Sequence, residues 1–406
     1  MVAPFPPEPE RLRAAREALP ASRAGILLNT ARAGPLPAET ARAMGELADR
    51  ELRLGRSDGP SVEAFRERLD EAAAVLAAVI GGAPEQVELT HGPIDGLERA
   101  LALTLETGRG QSLGKVVTTD QERDGLVALG AWCRRNRHEL VALPAEGGDD
   151  RRLLAELRTC LTAGEVRAVV VSHVVPTTGR LLPVAEIARQ ARRVGAVTIV
   201  EGSLAVGAIP VLVAELGLDA YVFGGQAWLL GPQGTGGLWL ARGEIRRPGG
   251  SERSPEDGAW RGEFYRPAVV GLARSAGWLA MYVGLAWVFE RGARLAAALA
   301  TRLAEVPNVE VLTPGPAMAT TIAFRVGGWS GEQVLTALED RTFAIAEAIG
   351  PLAAVRLSVG FFNTEEELDR TVACVREIAA HGPEGLPPRP RLTIVHEGAG
   401  SPTGRS

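Results

Sequence analysis

Between residues 115 and 240 the chain alternates short apolar runs with amphipathic stretches. Residues 115–119, 167–173, 197–201, 220–223 and 236–240 are each too short for a stable helix and are dominated by β-branched, aromatic and other apolar side chains, so they predict strands. Residues 183–194 place apolar side chains at helical spacing, with Pro183 in the first turn and Arg192 and Arg193 in the last, as a crossover helix would. Such alternation is the mark of a mostly parallel sheet covered by helices. Upstream, residues 61–80 and 96–105 show the helical period. Downstream, residues 242–257 are rich in Arg, Glu, Pro and Gly and predict a loop or boundary. From residue 267 to beyond 294 the spacing predicts one long helix, kinked near its glycines. Residues 308–380 then run strand, helix, strand, helix. The last strand covers 354–359, and the last helix opens at Asn363, Thr364, Glu365 and Glu366, a cap followed by acids that suit a helix N-terminus. The expected division is an N-terminal arm or helix (1–25), a large domain (26–265), a small C-terminal α/β domain (266–380) and a flexible tail rich in Pro and Gly (381–406).

Composition narrows the partners. With 406 residues and 46% hydrophobic content the chain can bury a sizeable core. Its net charge of −5 is spread out, without a basic stripe for nucleic acid or a polybasic run for a membrane surface. The longest apolar stretch, 277–289, falls short of the roughly 18 residues a spanning helix needs. Cys133, Cys160 and Cys374 have no C-x-x-C spacing, which suits a reducing cytoplasm, the expected location. Of the 44 basic residues, Lys115 alone is a lysine and the remaining 43 are arginines.

Five segments resemble, in order and spacing, the class V aminotransferase family, the branch of fold-type I pyridoxal phosphate (PLP) enzymes that includes cysteine desulfurases and isopenicillin N epimerase. They are LLNTARAGPLP (27–37), VVVSHVVPTTGRLLPVAEIA (169–188), VEGSLAVGAIPV (200–211), LGLDAYVFGGQAWLLGPQGTGGLWL (216–240) and VRLSVGFFNTEEELD (355–369). The resemblance implies an α/β PLP-transferase fold: a large domain with a mostly parallel seven-stranded sheet, a small C-terminal α/β domain, and a homodimer with sites at the subunit interface. A heterodimer with an active paralogue is the alternative assembly.

The resemblance also places the site, residue by residue. Ala227 stands where the Schiff-base lysine belongs. A methyl group can neither condense with an aldehyde nor move a proton at the substrate Cα. In the turn THGPIDGL, Pro93 and Ile94 occupy positions that hold the cofactor phosphate, and they offer neither an N–H nor a hydroxyl there. Gly262 and Glu263 align with the partner subunit's phosphate contact. A carboxylate ~4 Å from a phosphate would cost about 4 kcal/mol at an effective dielectric near 20. Arg123, after Glu122, replaces the stacking His, and Pro176 replaces the donor to the phenolic oxygen. Glu201 replaces the Asp opposite the pyridine nitrogen, Leu204 a polar residue after it, and Gln226 the His before the lysine. His173 and Arg356 are retained, and the arginine's implied role is to grip a substrate carboxylate.

Taken singly these residues have plainer readings. Arg356 could make a structural ion pair, His173 could be a satisfied core histidine, and Glu122, Glu201, Glu263 and Arg123 could form internal salt bridges. The glycines of GPQGTGG lack the Walker lysine spacing and suit a tight turn. Residues 341–350 hold no cysteine nucleophile for desulfuration, and the five histidines show no metal-ligand spacing. The many departures favour natural loss over a single engineered change. The leading expectation is a pseudoenzyme with a binding or regulatory role and a small carboxylate ligand, with PLP implied by resemblance alone. The alternative is an enzyme of specialised metabolism, either repurposed, with Glu201, Glu122 or His173 as general acid or base, or a PLP-dependent lyase, epimerase or aminotransferase acting on an amino-acid-like substrate.

Overall fold

A computed structural model describes residues 7–105, 114–122, 124–145, 148–241, 264–315 and 317–387. The loop expected at 242–257 and most of the tail lie outside these residues. The chain opens with α1 (Glu8–Ala18), β1 (Ile26–Leu27), α2 (Ala38–Leu54) and α3 (Gly59–Ile80). The sheet-building stretch follows: β2 (Val87–Thr90), α4 (Pro93–Thr104), β3 (Lys115–Thr119), α5 (Asp124–Asn136), β4 (Glu139–Leu143), α6 (Asp150–Thr162), β5 (Val166–Ser172), α7 (Val184–Arg193), β6 (Val197–Glu201), α8 (Val213–Leu216), β7 (Ala220–Gly224) and β8 (Gly236–Leu240). Then come α9 (Arg266–Gly277), α10 (Leu285–Ala304), β9 (Val309–Val311), β10 (Thr321–Val326), α11 (Gly331–Thr342), β11 (Ala344–Ile345), β12 (Glu347–Ile349), β13 (Ala354–Ser358) and α12 (Glu365–Ala380).

Seven strands form one sheet in the order β2-β8-β7-β6-β5-β3-β4, parallel except for β8, which runs against both neighbours. Both faces are buried, which is why the central strands carry unbroken apolar runs. Val116, Ala168 and Val170 turn to α4 and α5, where Leu97, Leu101, Leu129 and Trp132 wait. Their neighbours Val117, Val169 and Val171 turn to the other face, against Leu76, Ile80, Leu157 and Ile187. The five strands expected from sequence sit within a residue of their places, whereas the short edge strands β2 and β4 were not anticipated.

A second, antiparallel sheet, β12-β13-β10-β9, is packed by α10, α11 and α12 around Phe324, Leu338, Val355, Leu357 and Val375. The two cores do not divide at residue 265. Ile26 and Leu28 belong to the C-terminal core, with β1 paired to β11, while Val269, Leu272 and Ala276 of α9 belong to the core of the large sheet. The single long helix expected from residue 267 is also corrected. It breaks at Gly284, whose φ of 84° is left-handed, and the flanking segments Arg266–Val283 and Leu285–Ala304 meet at 84°. Among the described residues no single helix is long and apolar enough to cross a membrane. The last helix starts where its sequence predicts, with Thr364 accepting from the Glu367 N–H in a capping box.

Candidate functional site

Loops at the carboxyl ends of parallel strands are where an open α/β sheet presents its chemistry, and the ends of β3, β5, β6 and β7 gather most of the candidate residues. Glu122, just past β3, points inward. Its carboxylate accepts from Thr119 Oγ1 at 2.6 Å, from the Ser172 N–H at 3.1 and 3.2 Å, and from the Ser172 hydroxyl. Burial pushes its pKa up, against the pull of these donors. Glu201 ends β6, accepts from the Ser203 N–H at 2.9 Å and keeps a partial opening to solvent. Burial raises it to about 7, and the charge of Glu122 adds to the rise.

His173 follows β5. Its ring shares a 2.9 Å hydrogen bond between Nδ1 and the Tyr221 hydroxyl, with the rings at 86°. Burial lowers the imidazole to about 4 and lifts the phenol well above its ordinary value, so both stay neutral across the physiological range. Gly202 makes this pairing possible, because a Cβ there would lie 2.2 Å from the Tyr221 ring. Ser203 ties the β6 and β7 ends together by accepting from the Gly224 N–H at 2.8 Å. A Cβ on Gly224 would meet Pro93, Ser203 and Gln226 at 3.3 to 3.4 Å, so three segments converge on that glycine.

Ala227 lies in the loop between β7 and β8, only 3% exposed, in the apolar core with Trp228 and Leu229. Gly34 presses on this loop: its N–H donates to the Gln226 carbonyl at 2.8 Å, and a Cβ would sit 2.5 Å from the Ala227 carbonyl oxygen. The loop closes through Gly225 N–H to Thr235 O and Gly231 N–H to Gly225 O. A side chain on Gly236 or Gly237 would strike Phe223 within 2.5 Å, so those glycines are needed for the tight β7–β8 connection. Lys115 begins β3, four residues before Thr119 at the site end. At about 3.3 Å per residue it starts ~13 Å away, at the opposite end of the strands.

At the N-terminus of α4, Pro93 supplies no N–H and Ile94 is 49% exposed. Asp95 already occupies this end. Its carboxylate accepts from the His91 N–H at 2.9 Å and from Arg99 Nε at 2.8 Å. An acid there suits the helix dipole and repels a phosphate. Phe264 stacks on His91 with ring centres 4.4 Å apart. Across the interdomain seam, Arg356 is buried, donates to the Pro176 carbonyl and pairs with Glu347.

Glu122, His173 and Glu201 therefore stand together, Gln226 and Ala227 line the adjoining loop, and Arg356 faces the seam from the small sheet. Arg123 and Glu263 lie outside the described residues. Sequence reasoning missed Ser172, Tyr221, Ser203, Asp95 and Glu347. Of these, Ser172 and Ser203 were legible as polar residues flanking strand ends, while Glu347 becomes a partner only through strand pairing. Among the described residues no group of three or more His, Cys, Asp or Glu could hold a metal ion.

The aminotransferase class-V family model matches residues 26–371. The isopenicillin N epimerase of Amycolatopsis lactamdurans is 28% identical over 411 aligned positions, covering 90% of this chain and 98% of the relative. A probable cysteine desulfurase of Xylella fastidiosa is 28% identical over 250, covering 55% and 60%. Among solved structures, a C-DES mutant with glycine covalently linked to the PLP cofactor superposes with a TM-score of 0.79 at 22% identity, covering 89% of this chain and 99% of that one, which shows a shared fold.

Proposed function

The chain belongs to the class-V aminotransferase family, and from that membership we propose that it is a pseudoenzyme: it keeps the family's fold but has lost Schiff-base chemistry, and acts by binding. One observation carries the reading. The chain's one lysine, Lys115, begins β3 at the end of the sheet opposite the candidate site. No other lysine exists to form an imine, whichever loop residue is compared with the family's lysine.

The residues present do not fit the family cofactor. Its phosphate would meet Pro93, Ile94 and the Asp95 carboxylate at the start of α4. Charge-assisted hydrogen bonds contribute roughly 1.5 to 3 kcal/mol each, so losing several weakens binding by orders of magnitude. Glu201 alone retains a carboxyl suited to a ring nitrogen. A small carboxylate compound is the ligand class that a buried arginine such as Arg356 favours.

A second reading has its own support. Glu201, raised to about 7 and close enough to Glu122 to feel its charge, can hold or release a proton near neutrality. That suits a repurposed enzyme using Glu201 as acid or base near the neutral His173. The test of the main reading is direct. Purified protein mixed with PLP and then borohydride should show no aldimine absorbance and no phosphopyridoxyl adduct by mass spectrometry. A stoichiometric aldimine band abolished by reduction would sink the proposal, whereas slight labelling of the Lys115 amine, away from the site, would not.

A further inference from the structure

We propose that Glu347 is an internal occupant of a carboxylate site centred on Arg356, so that the site accepts a free carboxylate only when Glu347 moves aside. The inference rests on the preceding reading that the chain works by binding, and it adds what controls that binding.

Strand pairing defines the site. Glu347 and Arg356 are direct cross-strand partners in β12 and β13, and Thr321 and Ser358 are partners in β10 and β13. Side chains two apart along a strand share a face, so Glu347, Arg356, Ser358 and Thr321 all lie on one side of the small sheet. The other side carries Ile322, Phe324, Val355 and Leu357 into the C-terminal core. The polar side looks to the large domain. Arg356 donates to the Pro176 carbonyl, and Gly179 lies so close that a Cβ on it would be 2.1 Å from the Thr321 carbonyl oxygen.

Two features point to a ligand there. The Ser358 and Thr321 hydroxyls are at most 1% exposed and have no hydrogen-bond partner. Buried hydroxyls ordinarily find one, and both can donate to a carboxylate beside Arg356. Glu347, moreover, is shared. Its Oε2 pairs with Arg356 while its Oε1 lies 3.8 Å from Arg32, whose side chain is 72% exposed. Two guanidinium groups thus face this one carboxylate. When a free carboxylate takes Arg356 and the two hydroxyls, Glu347 keeps Arg32 as a partner at the surface. The enclosed position limits the ligand to a small monocarboxylate, such as an amino or oxo acid.

The test is titration of the full chain with sodium acetate, without PLP, read by saturation-transfer NMR. Glu347→Gln should bind acetate roughly tenfold more tightly than the native chain, the scale of one freed charge-assisted contact. The gain should vanish when Arg356→Leu is added and shrink with Ser358→Ala. Equal affinities in native and Glu347→Gln proteins, or a gain that survives loss of Arg356, would overturn the proposal. Should Glu347→Gln fail to fold by circular dichroism, Glu347→Asp withdraws the carboxylate by one methylene. It should give an intermediate gain, and no gain would count against the proposal. A PLP band in the native protein would defeat the pseudoenzyme reading while leaving this acetate comparison intact.

Discussion

Replacing Glu201 by Gln should remove a pH-dependent cost of folding, and the structure gives its size. Burial raises the carboxyl from 4.5 to about 7, and each unit is worth ~1.4 kcal/mol, so the full effect is on the order of 3 kcal/mol, trimmed by solvent on the side chain's open edge. The sign follows from linkage. At a pH below 4.5 both states hold the proton and nothing is lost. Between 4.5 and about 7 the unfolded chain releases a proton that the folded chain retains, so stability falls with rising pH, and the whole cost applies above 7. His173, lowered to about 4 by burial, acts in the opposite sense, because the unfolded chain takes up a proton on acidification that the folded chain refuses. The difference between native and variant proteins cancels that contribution. The Gln carbonyl can still accept the Ser203 N–H, so the variant loses the charge and little else. Urea unfolding followed by tryptophan fluorescence from about pH 5 to about pH 8 measures the difference. Glu201→Gln should gain stability over the native protein from about pH 5 to about pH 7 and level off above it. A difference constant to within about 0.5 kcal/mol would refute the assignment of Glu201 as a desolvated acid.

Other substitutions probe separate links. Ala227→Lys should not confer cofactor binding, because Pro93, Ile94 and Asp95 would still meet the phosphate at the start of α4; tight PLP binding with an aldimine band would instead mark a single-residue lesion. Gly202→Ala would force a methyl to within 2.2 Å of the Tyr221 ring, and overpacking of this kind costs about 1 to 3 kcal/mol or more, visible as a lower Tm. An unchanged Tm would show that the ring has room to move. Arg291→Met removes a buried guanidinium that donates to the Phe361 and Asn363 carbonyls and pairs with Glu8 and Glu365. It should destabilise by roughly 3 kcal/mol and speed tryptic cleavage at Arg11 or Arg13 in α1, whereas an unaltered cleavage rate would mean that α1 is held by other contacts.

The parallel sheet was legible because its strands are buried on both faces, and that leaves the run Ala168 to Val171 in β5 and Val197, Ile199 and Val200 in β6, broken only by Thr198. The edge strand β4 escaped notice because it is only partly covered and its side chains alternate less cleanly. Gly284 was visible as a glycine within a helical pattern, yet an 84° break rather than a kink depends on where α10 must go to reach the second core. At the site, the resemblance to the family, not residue type alone, singled out Glu201, His173, Gln226, Ala227 and Arg356. Partners such as Tyr221 for His173 and Pro176 for Arg356 were hidden for one physical reason: hydrogen bonds join atoms that are near in space, and the folded chain brings together residues far apart along it.

The sequence by itself determined the layered fold, the family and the absence of a lysine from every site loop, since these depend on residue identity and local periodicity. Only the tertiary structure decided that the one lysine begins its strand at the far end of the sheet, that Asp95 occupies the helix end, that Glu122 turns inward to Ser172, and that Arg356 already holds a carboxylate. Those facts arise from strand register and from packing between the two sheets, which place Glu347 opposite Arg356 and Tyr221 beneath His173.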